Sequence, residues 1–212
     1  MNKFYYALLC TTASVALGWT SANAETRSFD FDGFSRVGAS AGVSVQITTG
    51  AEYSVRAEGS DAGLADLKIN KKGDALNVGR NKTKLFKRRS DISVYITMPA
   101  LEGVRASSGS EIDATGIDAD KFSVTVSSGA DVSLAGQCDN ISASVSSGSD
   151  LDGENLRCRN ASVTASSGAD ASIYASENVT ANASSGGDID VYGAPEIRNI
   201  NKSSGGDVSI RN

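Results

Sequence analysis

The pattern Ser-Ser-Gly-x-acid occurs six times in the second half of the chain, beginning at Ser107, Ser127, Ser146, Ser166, Ser184 and Ser203. The steps between copies are 20, 19, 20, 18 and 19 residues. Small apolar and polar residues alternate after each motif, as in Asp131-Val-Ser-Leu134 and Asp188-Ile-Asp-Val191. Alternation with period two marks a strand, and a fixed longer period marks units that stack on one another. The expected fold is all-β: a right-handed parallel β-helix, about 19 residues per coil, over residues 102–212.

Superposing the repeats assigns each position a task. Ile112, Val132, Leu151, Ala171, Ile189 and Val208 form one apolar column. Ala114, Leu134, Gly153, Ile173, Val191 and Ile210 form a second, and Val104, Val124, Ala143, Val163, Ala181 and Ile200 a third. All three are expected to face inward as a thin aliphatic core. The repeated glycine (Gly109, Gly129, Gly148, Gly168, Gly186, Gly205) is expected at a corner with φ > 0. Asn140, Asn160 and Asn178 precede three successive motifs at the same distance, as in an asparagine ladder, and their Asn-x-Ser/Thr sequons read as a by-product.

Residues 25–101 read as a less regular β-rich portion. Candidate strands are Val43–Thr48, Tyr53–Ala57, Leu67–Asn70, Ala75–Val78 and Ile92–Thr97. Lys72-Gly73-Asp74 suits a hairpin turn, and Asp61–Asp66 a single helical turn. Ser40-Ala41-Gly42-Val43-Ser44 looks like a worn copy of the later motif, so the coil is expected to begin there. Residues 1–24 have the charged start, apolar stretch and Ala22-Asn23-Ala24 site of a signal peptide cleaved after Ala24. The expected location is periplasmic or secreted at the cell surface, with no transmembrane segment after signal removal and no room for a C-terminal membrane barrel.

Without the leader the chain carries 19 basic and 25 acidic residues. Residues 25–106 hold 13 basic and 10 acidic side chains, and residues 107–212 hold 6 and 15. So acidic a repeat region argues against nucleic acid as a partner. The chain has no histidine, which removes His-based triads, His-ligated zinc and His proton shuttles. Cys138 and Cys158 are one coil apart, a spacing that fits a disulfide between neighbouring rungs.

Six acids form a further column: Glu111, Asp131, Asp150, Asp170, Asp188 and Asp207. Two residues on, Asp113, Ser133, Asp152, Ser172, Asp190 and Ser209 alternate acid and hydroxyl. Like charges one rung apart, about 4.8 Å, repel by roughly 0.9 kcal/mol even in water. The alternating column avoids that cost and the uninterrupted one does not. Three readings stay open for the uninterrupted column: hydrogen bonds from its own Ser-Ser-Gly turn, Ca2+ held between rungs, or a carboxylate pair of a carbohydrate-active enzyme.

Tyr174 and Tyr192 fall on neighbouring rungs, either covering the sheet or forming a platform for a sugar ring. Arg80, Lys82, Lys84, Lys87, Arg88 and Arg89 crowd one loop around Leu85 and Phe86, either a solvated hairpin tip or a contact for an anionic surface. The last rung has no element after it, which leaves self-association open. Ice or mineral binding by the Ser and Asp ladders is a further option, weakened by the scarcity of Thr in the repeats.

Phe31-Asp32-Gly33-Phe34, Gly42-Val-Ser-Val-Gln-Ile47, Ile92–Pro99 and the Ser-Ser-Gly-x-Asp repeats together resemble the head GIN domain family of bacterial secreted proteins, described as autotransporter adhesin heads. The resemblance covers residues 28–212. It implies a right-handed parallel β-helix with a β-rich N-terminal portion, and it carries over no catalytic residue. The expected function is a non-catalytic, adhesin-like binding or structural module. Envelope polysaccharide, a lipid surface or a protein are its candidate partners.

Overall fold

The computed structural model describes residues 25–81 and 91–211, a parallel β-solenoid of about five turns. Residues 1–24, read above as a signal peptide, and Lys82, Lys84, Lys87, Arg88 and Arg89 lie outside the described residues. Four long bent strands carry the regular coils: β9 (Glu111–Ser127), β10 (Asp131–Ser146), β11 (Asp150–Ser166) and β12 (Asp170–Ser184). Ordinals follow chain order. They pair in parallel with motif on motif, Glu111 beside Asp131, Asp131 beside Asp150 and Asp150 beside Asp170. The unequal steps between motifs are absorbed at the bends. Leu134/Gly136 shifts register against β9, and Gly153/Arg157 shifts it against β12.

The Ser-Ser-Gly corner is tighter than the sequence implies. The glycines are left-handed as expected, and so is the serine before each one, Ser108, Ser128, Ser147, Ser167, Ser185 and Ser204 (φ 49° to 62°). Two successive left-handed residues aim their N–H groups along the stack. Gly109, Gly129 and Gly148 each donate to the carbonyl of the corner serine on the next rung, at 3.1–3.2 Å. The last two corners, Ser184-Ser-Gly-Gly and Ser203-Ser-Gly-Gly, close on themselves through Gly187 N–H to Ser184 O and Gly206 N–H to Ser203 O. A Cβ on Gly187 or Gly206 would lie within 2.5–2.8 Å of backbone in the preceding rung, so the second glycine is required there.

The worn motif is a real coil. Strand β2 (Arg36–Ser40), left-handed Ala41 and Gly42, and β3 (Ser44–Thr49) repeat the corner, with Ser40 beside Ser107 of β8 (Gly103–Ser107) and Ser44 beside Glu111. Chain order and stacking order then part company. Strands β6 (Ala75–Arg80) and β7 (Ile92–Met98) come later in the chain yet form the coil outside β2 and β3. Beyond them the chain doubles back antiparallel: β4 (Ser54–Gly59) on β7, β1 (Glu25–Phe29) on β4, and β5 (Leu67–Lys72) on β6 through the expected turn at Gly73. Helix α1 (Asp61–Asp66) is the single turn read from sequence, capped by the Ser60 hydroxyl accepting from Gly63 N–H. Strands β1 and β2 were not among the expected ones. Polar Glu25–Ser28 has no buried face, and β2 is legible only once it is set on β8.

One core runs from Phe34 to Val208. The three inward columns are buried as expected through most of their length, with Ile112, Ile173 and Ala181 fully covered. Its bulk is uneven. Among the described residues the large, fully buried side chains are Phe34, Ile47, Leu64, Leu76, Ile96, Met98 and Leu101 before the regular repeats, Ile112, Ile117 and Phe122 in β9, and Leu156 and Ile173 later. A disulfide joins Cys138 to Cys158 on adjacent rungs, with Cα atoms 4.5 Å apart.

The end of the solenoid is built from β13 (Asp188–Tyr192), β14 (Ile197–Lys202) and β15 (Asp207–Ile210). Here one expectation is corrected: Ile200 is 36% exposed rather than core, because no rung lies over it. Its strand places Arg198 and Lys202 beside buried Val179 and Ala183, so charged residues take the core columns. Arg198 donates to Pro195 O and Lys202 to Asp207, folding both heads to the rim. Charged residues at inward positions of an edge strand oppose further pairing.

Candidate functional site: the faces of the solenoid

The parallel register turns sequence columns into surface columns. Glu111, Asp131, Asp150, Asp170, Asp188 and Asp207 follow one another rung by rung on an exposed face. Burial and the neighbouring Asp131 carboxylate push Asp150 above the usual carboxylate range. Burial, then Asp150, Asp188 and Asp190, do the same to Asp170. Asp207 moves the other way because the Lys202 ammonium bonds to it. Corner N–H groups do not neutralise the column, since those of Gly109, Gly129, Gly148 and Gly168 are spent along the stack. Where the fourth motif residue is serine its hydroxyl is engaged elsewhere: Ser110 Oγ donates to Ala39 O, and Ser149 Oγ to Ser146 O. The column keeps its repulsion, tempered by exposure to solvent.

The second column is also in register: Asp113, Ser133, Asp152, Ser172, Asp190 and Ser209. Asp190 is held by the Arg211 guanidinium at 3.0 and 3.2 Å, Asp152 accepts from Glu154 N–H, and Ser209 Oγ donates to Asp207. Between the two columns Asp150, Asp152, Glu154 and Asp170 ring a shallow recess of about 320 Å³ with Ser172. Among the described residues no three acidic or cysteine side chains converge as a metal ion would require. The raised carboxylates therefore express an in-register ladder. The recess at these carboxylates is shallow and open to solvent.

Tyr174 and Tyr192 stand side by side, half-buried, in register. A third member joins them: the Arg157 guanidinium lies over the Tyr174 ring at 4.5 Å. Sequence spacing hides it, because the register shift between Gly153 and Arg157 is invisible without the partner strand. Arg80, the one described member of the basic run, donates to Ala41 O and Gly42 O and so braces the first corner.

A second face is rich in hydroxyls and amides, with Asp118, Asp120 and Lys121 among them. Ser123, Ser142, Ser162 and Thr180 form one outward row, and Thr125, Ser144, Thr164 and Asn182 another. Beside them runs the asparagine ladder. Asn160 donates to Asn140 Oδ1 and Asn178 to Asn160 Oδ1, while Asn140 and Asn160 also reach the backbone at Asp120 and Asp139. Asn201 and Asn182 repeat the contact further along. Ladder and hydroxyl row together line a groove of about 960 Å³, closed at one end by Arg36 and Glu102.

Among the described residues no helix is long and apolar enough to cross a membrane, which says nothing of β-barrels. No curated protein matches the chain. The fold is shared with three crystal structures of proteins described as putative adhesins. One from Bacteroides fragilis is 18% identical with a TM-score of 0.71, covering 90% of this chain and 98% of its own. One from Parabacteroides merdae is 14% identical with a TM-score of 0.53, covering 89% and 96%. One from Parabacteroides distasonis is 14% identical with a TM-score of 0.51, covering 90% and 98%. Residues 33–195 match the family described as putative auto-transporter adhesin, head GIN domain, and the chain belongs to that family.

Proposed function

We propose that the chain is a non-catalytic, adhesin-like binding module, exported by the leader at residues 1–24 and working at the cell envelope or surface. The observation that carries this reading is the pair of regular faces, one acidic and one hydroxyl-rich, presented over successive rungs without a cleft at the carboxylates. An enzyme that cleaves polysaccharide needs two carboxylates enclosed around one bond. Here every rung offers the same carboxylate, which suits repeated weak contacts to an extended partner. Membership of an adhesin-head family supports the same conclusion.

Co-sedimentation of the exported chain with isolated envelope polysaccharide, with anionic-lipid vesicles and with intact envelopes tests it. Retention on polysaccharide and envelopes is the expected result, unchanged by chelator and with no new reducing ends. Appearance of reducing ends or unsaturated products would make the protein an enzyme. Failure to sediment with any of the three would remove the adhesin reading.

A further inference from the structure

We infer that the axial groove beside the asparagine ladder is a binding site for one strand of a neutral, extended glycan; the inference rests on the adhesin reading above and names where its ligand sits. The groove measures about 960 Å³, at the upper end of the ~300–1,000 Å³ typical of ligand sites. It runs along the solenoid axis over four rungs, past Lys121, Asn140, Asn160 and Asn178 on one side and Ser123, Ser142, Ser162 and Thr180 on the other. Its chemistry therefore repeats every ~4.8 Å. An extended pyranose chain also advances about one sugar per rung of that size, so each sugar meets the same pair of side chains.

The polar groups suit hydroxyls. Ser123, Ser142, Ser162 and Thr180 make no side-chain hydrogen bonds among the described residues, and each can donate and accept. The asparagines are held in place by the ladder itself, so little ordering entropy is lost when a ligand binds. Asn178 uses one N–H on Asn160 and keeps the other, Asn140 uses one on Asp120 O, and Asn160 donates to both Asn140 Oδ1 and Asp139 O. Charge selects against the alternatives. Residues 107–212 carry 15 acidic and 6 basic side chains, a field that repels polyanions and anionic lipid. The groove floor is apolar where Leu101, Phe122, Ile141 and Ala161 line it, and these buried side chains leave the polar rows as the exposed contacts. A neutral polyol polymer, with hydroxyls for those rows and an apolar ring face for that floor, is the ligand this arrangement favours.

The test is a titration of the 15N-labelled exported chain with neutral hexasaccharides (chitohexaose, cellohexaose and maltohexaose), with hexagalacturonate as the anionic control. The expected result is movement of the side-chain amide signals of Asn140, Asn160 and Asn178 with at least one neutral sugar. Ser162→Lys, an exposed change that drops a long side chain into mid-groove, should weaken that binding by about tenfold or more. Tyr174→Ala should leave it unchanged. Neutral-sugar binding that shifts only the Tyr174 and Tyr192 region, and survives Ser162→Lys, would overturn the groove while leaving adhesion intact. Equal binding of hexagalacturonate, or no shift with any neutral sugar at millimolar concentration, would overturn the neutral-glycan assignment. Envelope retention measured separately decides whether the adhesin reading falls with it.

Discussion

The first coils and the later repeats fill the same positions with different residues. In the column that carries Glu111 and its five successors, the earlier coils carry Ser44 and Ser93. Inside, the early coils bury Phe34, Leu64, Met98 and Leu101 where the repeats bury mainly alanine and valine. Serine thus closes the coil geometry as well as aspartate does. The carboxylates are surface equipment, and the fold holds them up from a core anchored mostly in the first half.

Truncation of the anchor should therefore cost more than trimming a repeat. Phe34 is buried against Tyr53, with ring centroids 4.9 Å apart and the Tyr53 hydroxyl donating to Phe34 O. Phe34→Ala is expected to lose about 3–5 kcal/mol, against about 1 kcal/mol for Ile189→Val in a late rung. Urea unfolding at neutral pH measures both, and equal losses would erase the distinction between the halves. Cys138→Ser with Cys158→Ser comes next, at roughly 3 kcal/mol in the chain-entropy model for a loop of this size. Reduction of the unaltered protein should shift its unfolding midpoint by the same amount.

A smaller effect separates the two ends. The first end is closed by antiparallel strands, and its β5 edge carries Lys68, Lys71 and Lys72. The last is closed by Arg198 and Lys202 in core columns. Arg198→Val with Lys202→Val should keep the fold and expose a sticky edge beside Ile197, which is already 66% exposed. Sedimentation velocity should then show concentration-dependent association that the parent lacks; a double variant that stays monomeric would show that these two charges are not what guards the end.

The smallest effect is electrostatic and has a defined sign. Asp150 and Asp170 bind protons more readily folded than unfolded, so their ionisation works against the fold. That penalty is present at neutral pH and is relieved as pH falls through their raised folded values toward the ordinary aspartate range near 4. Asp207 has the opposite sign, and its contribution is lost as pH falls through its depressed folded value. Asp170→Asn should stabilise by a few tenths of a kcal/mol at pH 7 and by nothing near pH 2, below both the folded and the unfolded values. A variant equally stabilised at both would point to a cause other than charge.

Much of the fold was legible because a period near 19 leaves little freedom: once Ser-Ser-Gly is set on Ser-Ser-Gly, the apolar and acidic columns follow. The asparagine ladder and the disulfide came from the same superposition. What stayed hidden depends on contacts between strands distant in sequence. The placement of β6 and β7 outside β2 and β3 leaves no local trace. Arg157 over Tyr174 depends on a register shift, and the exposure of Ile200 on the absence of a rung above it. The hydroxyl rows were in plain view as Ser-x-Ser and Ser-x-Thr. Serine is ordinary on a surface strand, so the rows carry no signal alone; only the groove beside them gives them a direction.

The most direct test replaces the acids of three successive rungs with the residue that the early coils use. Asp131→Ser, Asp150→Ser and Asp170→Ser are combined, and the unfolding free energy is measured at neutral pH. An unchanged or increased value is expected, since serine holds this column at Ser44 and Ser93. A loss greater than about 1 kcal/mol would mean that the carboxylates cap their own turns and belong to the fold rather than to its surface.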